Sequence, residues 1–476
     1  MALATRERSG LSYRMRSVLS DLTTPVGIYQ AVAGRPGAFL LESAPTRESV
    51  GRYSYIGWDP LYRLQQRDGR VRLEHGGRIE RRAGEAFASL RSLVERIAAP
   101  RPSEDLPPFY GGAVGYMGYD VAREFERLGP GPEDDRRLPA LHVVVPRHLV
   151  AYDHVTRQAH LVVAAEDPDD SESDVRLDQM ERLIRRAHRP SRQGGGRPEL
   201  IAASVDQGTY LAGVRRAKEA IAAGEVFQLV LSQRHAYRTT CPPLAVYRAL
   251  RAIDPSPYMF HLRLPGFTFY GSSPETLVRV AAGRVLLRPI AGTRPRPQDP
   301  AQLAGVAREL AGDAKERAEH LMLLDLGRND VGRVAEPGSV AVPRSFAVEE
   351  YARVLHLVSD VEGRLREGLT SLDALRAAFP AGTLTGAPKI RAMQLIDELE
   401  PVARGPYGGA VGYAGADGSL DFCIAIRSIV QVGDVAYLQS GAGIVQDSDP
   451  LREHEECQHK LAALREALEI AGGNGS

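Results

Sequence analysis

The chain has 476 residues, more than one simple core usually holds, so two domains or one large domain with an extension is the expectation. Lys and Arg number 60 and so do Asp and Glu, which leaves no net field to concentrate nucleic acid or an acidic membrane. The opening MALATRERSG is charged, and no later stretch approaches the ~18 consecutive apolar residues of a membrane span, so a soluble cytoplasmic protein is expected. Cys241, Cys423 and Cys457 are widely separated and form no CxxC pair, against both a disulfide framework and a thiolate zinc site.

In chain order, residues 1–23 read as a charged, flexible start. A first unit, 24–192, reads mainly as short strands: AFLLES, YSYIGW, RVRLEH, LHVVVPRHLVAYD and QAHLVVAA, punctuated by Gly, Pro and Asp, with a helix over 90–97 and another ending near 188. Gly, Arg and Pro mark a linker over 193–203. A second unit, 204–470, opens with a helix capped by Ser204 or Asp206 and ended by Gly224. Strands follow in FQLVLSQRHAYR, YMFHLRL, TFYGSS, TLVRVAAGRVLLRPI and FCIAIRSIVQVGDVAYLQSGAGIV, with helices over 303–326, 372–378, 387–398 and 450–471. Strand runs followed by helices predict an α+β fold with mainly antiparallel pairing.

YGGAVGY occurs twice, over 110–116 and 407–413. Neither copy carries the Lys-Ser/Thr of a phosphate-binding loop or a full GxGxxG, and neither clearly opens a helix. An alternating strand whose glycines admit a close backbone is the simpler reading, and two such strands suggest two sheet-bearing units.

Glu316 and Glu319 share one helical face, and Glu453 and Glu456 share another at the same spacing. One such pair is usually a solvated face; two pairs converging from separate helices would make an all-oxygen site suited to Mg²⁺. Spacing alone leaves both readings open.

SSPETLVRV, RPIAGTRPR, KERAEHLMLLDLGRNDVGRV, FPAGTLTGAPKIRAMQLIDELEP, RGPYGGAVGY, DFCIAIRS and QSGAGIVQDSDP, in this order, resemble the chorismate-binding enzymes, most closely the anthranilate synthase component I family. The resemblance spans nearly the whole chain and implies a sandwich of two large antiparallel sheets with helices outside. It implies that Glu319 and Glu456 hold Mg²⁺, with Glu316 and Glu453 acting through metal-bound water. It implies that Arg427 grips the pyruvyl carboxylate with Tyr407 as partner, that Gly441, Ala442 and Gly443 offer backbone amides to an oxyanion, and that Gly292, Thr293 and Lys460 line the substrate. Glu275 matches the acid for the departing ring hydroxyl, His356 resembles the family histidine beside the substrate, and Thr383 is implied to line the pocket. On residues alone, the preferred readings are Arg427 as an exposed strand arginine, His356 as a core imidazole among Leu355, Leu357 and Val358, and Gly-Ala-Gly as a turn.

Two positions choose among relatives. Family members that add water carry lysine where this chain has Gln228, and glutamine cannot serve as a base. Members that make aminodeoxychorismate carry lysine where this chain has Ala291, which supplies no nucleophile. Both favour attack by ammonia and pyruvate loss, giving anthranilate for tryptophan biosynthesis. The rivals are 2-amino-2-deoxyisochorismate synthase, aminodeoxychorismate synthase, and a non-catalytic tryptophan-binding scaffold. No cysteine has a nucleophile-elbow setting, so the ammonia is expected from a separate glutamine amidotransferase subunit, anthranilate synthase component II. The resemblance also implies tryptophan as inhibitor at Leu41, Glu42, Ser43, Pro257, Tyr258 and Met259, with Asp254 where the family commonly has Asn. The second heptapeptide is then expected to line substrate and the first an effector.

Overall fold

The computed structural model describes residues 10–44, 51–186, 195–297, 299–351 and 354–474. Every pairing between its strands is antiparallel. The strands form two arms that share two long members, Tyr53–Arg67 and Leu141–Asp153. Those two strands face each other at Pro60 and Pro146, and the register shifts between Pro60 and Tyr62. Proline removes a ladder donor and the shift bends the pair, so each strand serves one arm with its first half and the other with its second.

One arm continues through Phe39–Glu42, Tyr258–Leu264, Phe267–Ser273, Ser428–Val432 and Val435–Ile444 to Gln228–Arg238. The other runs through Gly112–Met117, Ala410–Gly415, Leu420–Ile424, Thr276–Ala281 and Arg284–Leu287 to Val354–Arg364. Helices cover these arms: Pro450–Glu469 and Pro243–Ile253 pack on the first, Ala314–Gly332 and Ser371–Ala378 on the second. Buried Leu, Val, Ile and aromatic side chains fill the layers between. The α+β class and antiparallel pairing expected from the sequence are both present.

Four details differ from the sequence reading. Residues Ser12–Leu19, expected to be flexible, form a strand paired along its length with Gln158–Ala165. Of the expected linker, 199–203 forms a strand on Gln228–Arg238, and 193–194 lie outside the described residues. The helix read over 303–326 is two helices, Pro300–Gly312 and Ala314–Gly332, because the Asp313 carboxylate accepts from the backbone N–H of Lys315 and Glu316 and starts the second. Finally, the boundary drawn between the two units is crossed by sheet pairing at 39–42 with 259–262 and at 112–117 with 410–415.

Asp206, rather than Ser204, caps the helix Gln207–Ala222, accepting from the Thr209 N–H at 2.7 Å; Ser204 Oγ accepts from Arg234 N–H instead. The two copies of YGGAVGY are sheet neighbours. Gly115 faces Gly412, Val114 faces Tyr413 and Tyr116 faces Val411. A Cβ at Gly115 would meet the His142 carbonyl oxygen at 2.0 Å, and one at Gly412 the Asp421 carbonyl oxygen at 2.0 Å. Both glycines therefore exist for close backbone approach, as the strand reading anticipated.

Candidate active site

Glu275 lies after the strand Phe267–Ser273, with its backbone carbonyl receiving the Ile424 N–H. Its carboxyl is buried and accepts from Thr383 Oγ1 at 3.0 Å. Burial pushes its pKa up to about 8, against the smaller opposing effects of the Thr383 hydrogen bond and the Lys460 and Arg427 charges. A carboxyl protonated at neutral pH is a proton donor in waiting.

His356 is brought in by the strand Val354–Arg364, opposite Thr293 in the ladder. Its Nδ1 lies 3.0 Å from the Gly292 carbonyl oxygen, which can only accept, so Nδ1 carries the proton. Thr293 Oγ1 lies 3.2 Å from the same nitrogen. Nε2 is then an acceptor, buried and without a partner among the described residues. Burial holds the ring neutral, lowering its pKa to about 4, with the Gly292 contact opposing and the Arg427 and Lys460 charges reinforcing. The strand arginine and core histidine of the simpler readings are thus electrostatic neighbours. Gly292 is at φ 63, which a Cβ-bearing residue resists.

Gly441 and Gly443 lie inside the strand Val435–Ile444 rather than at a turn. Lys460 Nζ donates to the Gly441 carbonyl at 2.9 Å, so that peptide edge faces away from Gln228–Arg238. Opposite it, Ser232 N–H turns outward to Glu400, and two residues on, the Val230 carbonyl turns outward to Arg404. In an antiparallel ladder these edges alternate, so Gly441 and Gly443 direct their N–H groups away from the neighbouring strand while Ala442 spends its own on Leu231. The sequence expectation for Ala442 is corrected accordingly: two amides, not three, are free for an oxyanion. A Cβ at Gly441 would come within 3.1 Å of the Tyr407 hydroxyl, and one at Gly443 within 2.5 Å of Gln228 Nε2. Tyr407 and Gln228 therefore close over this strand. The Tyr407 hydroxyl has no hydrogen bond among the described residues, and Gln228 Oε1 is buried and unpartnered.

The four glutamates divide between the helices Ala314–Gly332 and Pro450–Glu469. Burial raises the Glu319 pKa, opposed by Lys315 and reinforced by the Glu316 and Glu456 charges, so the two helices bring their carboxylates within electrostatic reach. Glu453 is raised likewise by burial and by Glu456, with Ser448, Lys315 and Lys460 opposing. Glu456 pairs with Lys460 at 2.7 Å, Glu319 with Lys315 at 3.7 Å, and Glu316 with Arg294 at 2.8 Å. Among the described residues no group of three or more His, Cys, Asp or Glu is gathered tightly enough to hold a metal by protein ligands alone. Sequence reasoning missed Lys315, Arg294 and the Asp254 partner of Arg427; arginines and lysines beside glutamates on helices carry no distinguishing signal.

The segments expected to hold an effector are also neighbours. Met259 pairs with Glu42 and Phe260 with Leu41, and Ala44 N–H donates to the Ser256 carbonyl. Glu42 is already engaged, accepting from Tyr247 at 2.7 Å and Arg251 at 3.0 Å. The Tyr258 hydroxyl lies 2.9 Å from both Asp421 and Thr276. The Ser43 hydroxyl is buried without a partner among the described residues. Tyr110, which opens the first heptapeptide, packs edge-on to Tyr13 at 5.3 Å and beneath Arg101.

The family described as chorismate binding enzymes matches residues 37–466. Anthranilate synthase component 1 of Streptomyces coelicolor is 46% identical, covering 95% of this chain and 88% of its own; that of Thermus thermophilus is 46% identical, covering 96% and 97%. Component I of anthranilate synthase from Streptococcus pneumoniae superimposes with a TM-score of 0.79 at 33% identity, covering 94% of this chain and 99% of that one. The menaquinone-specific isochorismate synthase of Escherichia coli shares the fold, with a TM-score of 0.72 at 19% identity over 98% and 96% of the two chains. With a buried acid, a neutral histidine, two cations and two free glycine amides in one place, and relatives matched over most of their length, the chain belongs to the chorismate-binding enzyme family.

Proposed function

We propose that this chain is the large subunit of anthranilate synthase, converting chorismate and ammonia to anthranilate, pyruvate and water. The observation that carries the reading is Glu275, a buried carboxyl that keeps its proton to about pH 8 beside Arg427 and Lys460. A dicarboxylate substrate needs such cations, and a ring hydroxyl leaves as water only if it receives a proton. Gln228 offers no base to activate water, and Ala291 no amine to attack the ring, which favours ammonia over both alternatives.

The donor chemistry fits Mg²⁺, which takes few protein carboxylates and completes its shell with water and an anionic ligand. Glu319 and Glu456 would hold it, with Glu316 and Glu453 behind them. Bound there, the ion neutralises a substrate carboxylate. The chain's own residues do the rest. Arg427 receives the second carboxylate. Glu275 donates the proton that leaves with the hydroxyl. His356 Nε2 accepts a hydrogen bond, and the Gly441 and Gly443 amides take developing negative charge.

Ammonia comes from a separate glutamine amidotransferase subunit, because all three cysteines are buried and burial pushes Cys423 and Cys457 away from the thiolate form. Tryptophan binds against the end of the paired strands Phe39–Glu42 and Tyr258–Leu264, where the Ser43 hydroxyl is unpartnered among the described residues. The purified chain, given chorismate, Mg²⁺ and ammonium salts, should make anthranilate, and should make none from glutamine. Accumulation of 2-amino-2-deoxyisochorismate or aminodeoxychorismate would replace this assignment, and glutamine-driven turnover would overturn the separate ammonia source.

A further inference from the structure

Arg427 has an unusual setting. Its backbone is at φ 46, in the left-handed region that non-glycine residues seldom occupy. Its guanidinium touches a single partner among the described residues: Nη1 lies 3.2 Å and 3.4 Å from the two oxygens of Asp254. The edge formed by Nε and Nη2 has no bond, and the side chain remains 27% exposed while that of Asp254 is only 10% exposed. A carboxylate ligand takes a guanidinium best along such an edge, with two parallel N–H donors.

Asp254 is itself fixed. It follows the helix Pro243–Ile253, and its N–H donates to the Leu250 carbonyl. Ser272 ties both partners together: its hydroxyl donates to the Asp254 carbonyl, and its N–H donates to the Arg427 carbonyl at 3.0 Å. Ser272 in turn faces Met259, which faces Glu42 in the next strand.

We propose that Asp254 is a positioning residue for the reaction: by holding one corner of the Arg427 guanidinium it presents the opposite edge to a substrate carboxylate. This rests on the reading of Arg427 as a carboxylate receptor. Asp254 touches no reacting atom, so its loss should act on binding rather than on chemistry. Asp254→Ala frees the guanidinium to swing, and the KM for chorismate should rise about 10-fold while kcat changes less than about threefold. Asp254→Asn keeps an oxygen that can accept from Nη1 and should restore KM to within about threefold of the parent.

The test measures steady-state KM and kcat at saturating ammonium and Mg²⁺ for Asp254→Ala, Asp254→Ser, Asp254→Asn, Arg427→Lys and the Asp254→Ala/Arg427→Lys double variant, with thermal unfolding as a control. Asp254→Ser repeats the truncation should the alanine variant not fold. The proposal is supported by raised KM in the truncations, rescue by asparagine, and a double variant no worse than Arg427→Lys, because the two residues act as one unit. Raised KM in Arg427→Lys with unchanged KM in both truncations overturns it. So does an asparagine variant as impaired as alanine, or a loss carried by kcat. An unchanged KM in Arg427→Lys removes the carboxylate-receptor reading itself, a failure distinct from the other three.

Discussion

The two copies of YGGAVGY pair with each other, yet their opening tyrosines live in different surroundings. From the fourth residue onward the copies mirror one another about Gly115 and Gly412. Before that point they part. In the first copy Gly112 is at φ 142, and Tyr110 is sealed between Tyr13 and Arg101 with its hydroxyl buried and unbonded among the described residues. In the second, Gly408 is at φ 73, and Tyr407 is carried over Gly441, near the Lys460 contact. Identical residues thus make one ladder position and two different neighbourhoods, because the ladder is set by backbone and the neighbourhood by what each strand leads into.

The sharpest contrast between the two sides lies in the carboxylate helices, which belong to the second copy's surroundings alone. Glu319→Gln and Glu456→Gln should each lose more than about 100-fold of activity at limiting Mg²⁺, since even residues one shell beyond a metal cost 10–100-fold. Circular dichroism should show the fold intact, because both side chains are partly solvated and contribute no core packing. Unchanged Mg²⁺ dependence in both variants would remove the metal assignment.

Glu275 comes next. Glu275→Gln should cost about 10²–10³-fold in kcat, the usual worth of a positioned acid. At fixed free ammonia, kcat/KM of the parent should fall as pH rises through about 8, and this limb should vanish in the variant. Stability carries the same signature. The folded chain keeps the proton to about pH 8, whereas an ordinary glutamate releases it near 4.5. The folded state binds more protons in that window, so this group lowers stability as pH rises through it, and Glu275→Gln should flatten the slope in thermal unfolding. A parent whose rate and stability show no basic limb would mean that Glu275 ionises normally.

The difference between the copies also marks what the sequence reveals. The strands Leu141–Asp153 and Gln158–Ala165 are legible because apolar runs are bounded by Pro, Asp and Thr at their turns. Arg78–Ala83, with the sequence RIERRA, is fully exposed and charged, and its pairing with Arg70–His75 leaves no apolar alternation to read. The break at Asp313 was hidden because the apolar spacing on either side fits one helix, and only the cap separates them. In the site, motif resemblance named Glu275, His356 and Tyr407. It could not name the two-amide geometry of Gly441 and Gly443, which depends on ladder phase, nor the Asp254 contact, which joins residues 173 positions apart.

The two tyrosines allow a direct comparison of smaller size. Tyr407→Phe should raise the KM for chorismate about 3–10-fold, the worth of one hydrogen bond to a charged ligand, with kcat little changed. Tyr110→Phe should leave KM unaltered and leave stability equal or slightly higher, because its hydroxyl is buried without a partner. Equal kinetic effects in the two variants would mean that the shared sequence, not the surroundings, sets their roles.

The smallest effect on turnover is expected where the first copy's side of the molecule meets the second across Phe39–Glu42 and Tyr258–Leu264. Ser43→Ala and Met259→Thr should each change uninhibited turnover less than about twofold, since neither side chain hydrogen-bonds Glu275 or the glutamates of the carboxylate helices among the described residues. Both should weaken inhibition by tryptophan. Ser43 would surrender a buried hydroxyl that has no partner among the described residues, and a ligand that orders it loses that hydrogen bond on substitution. Met259 is buried between Glu42 on one strand and Ser272 on the other, so shortening it opens space on the ladder that ends at Asp254 and Arg427. Inhibition should therefore weaken in both variants while tryptophan still binds more weakly rather than not at all, measurable as a rise of about 3–30-fold in the concentration giving half inhibition. Full inhibition in both would place the effector elsewhere, and would leave the unpartnered Ser43 hydroxyl as a feature of packing alone.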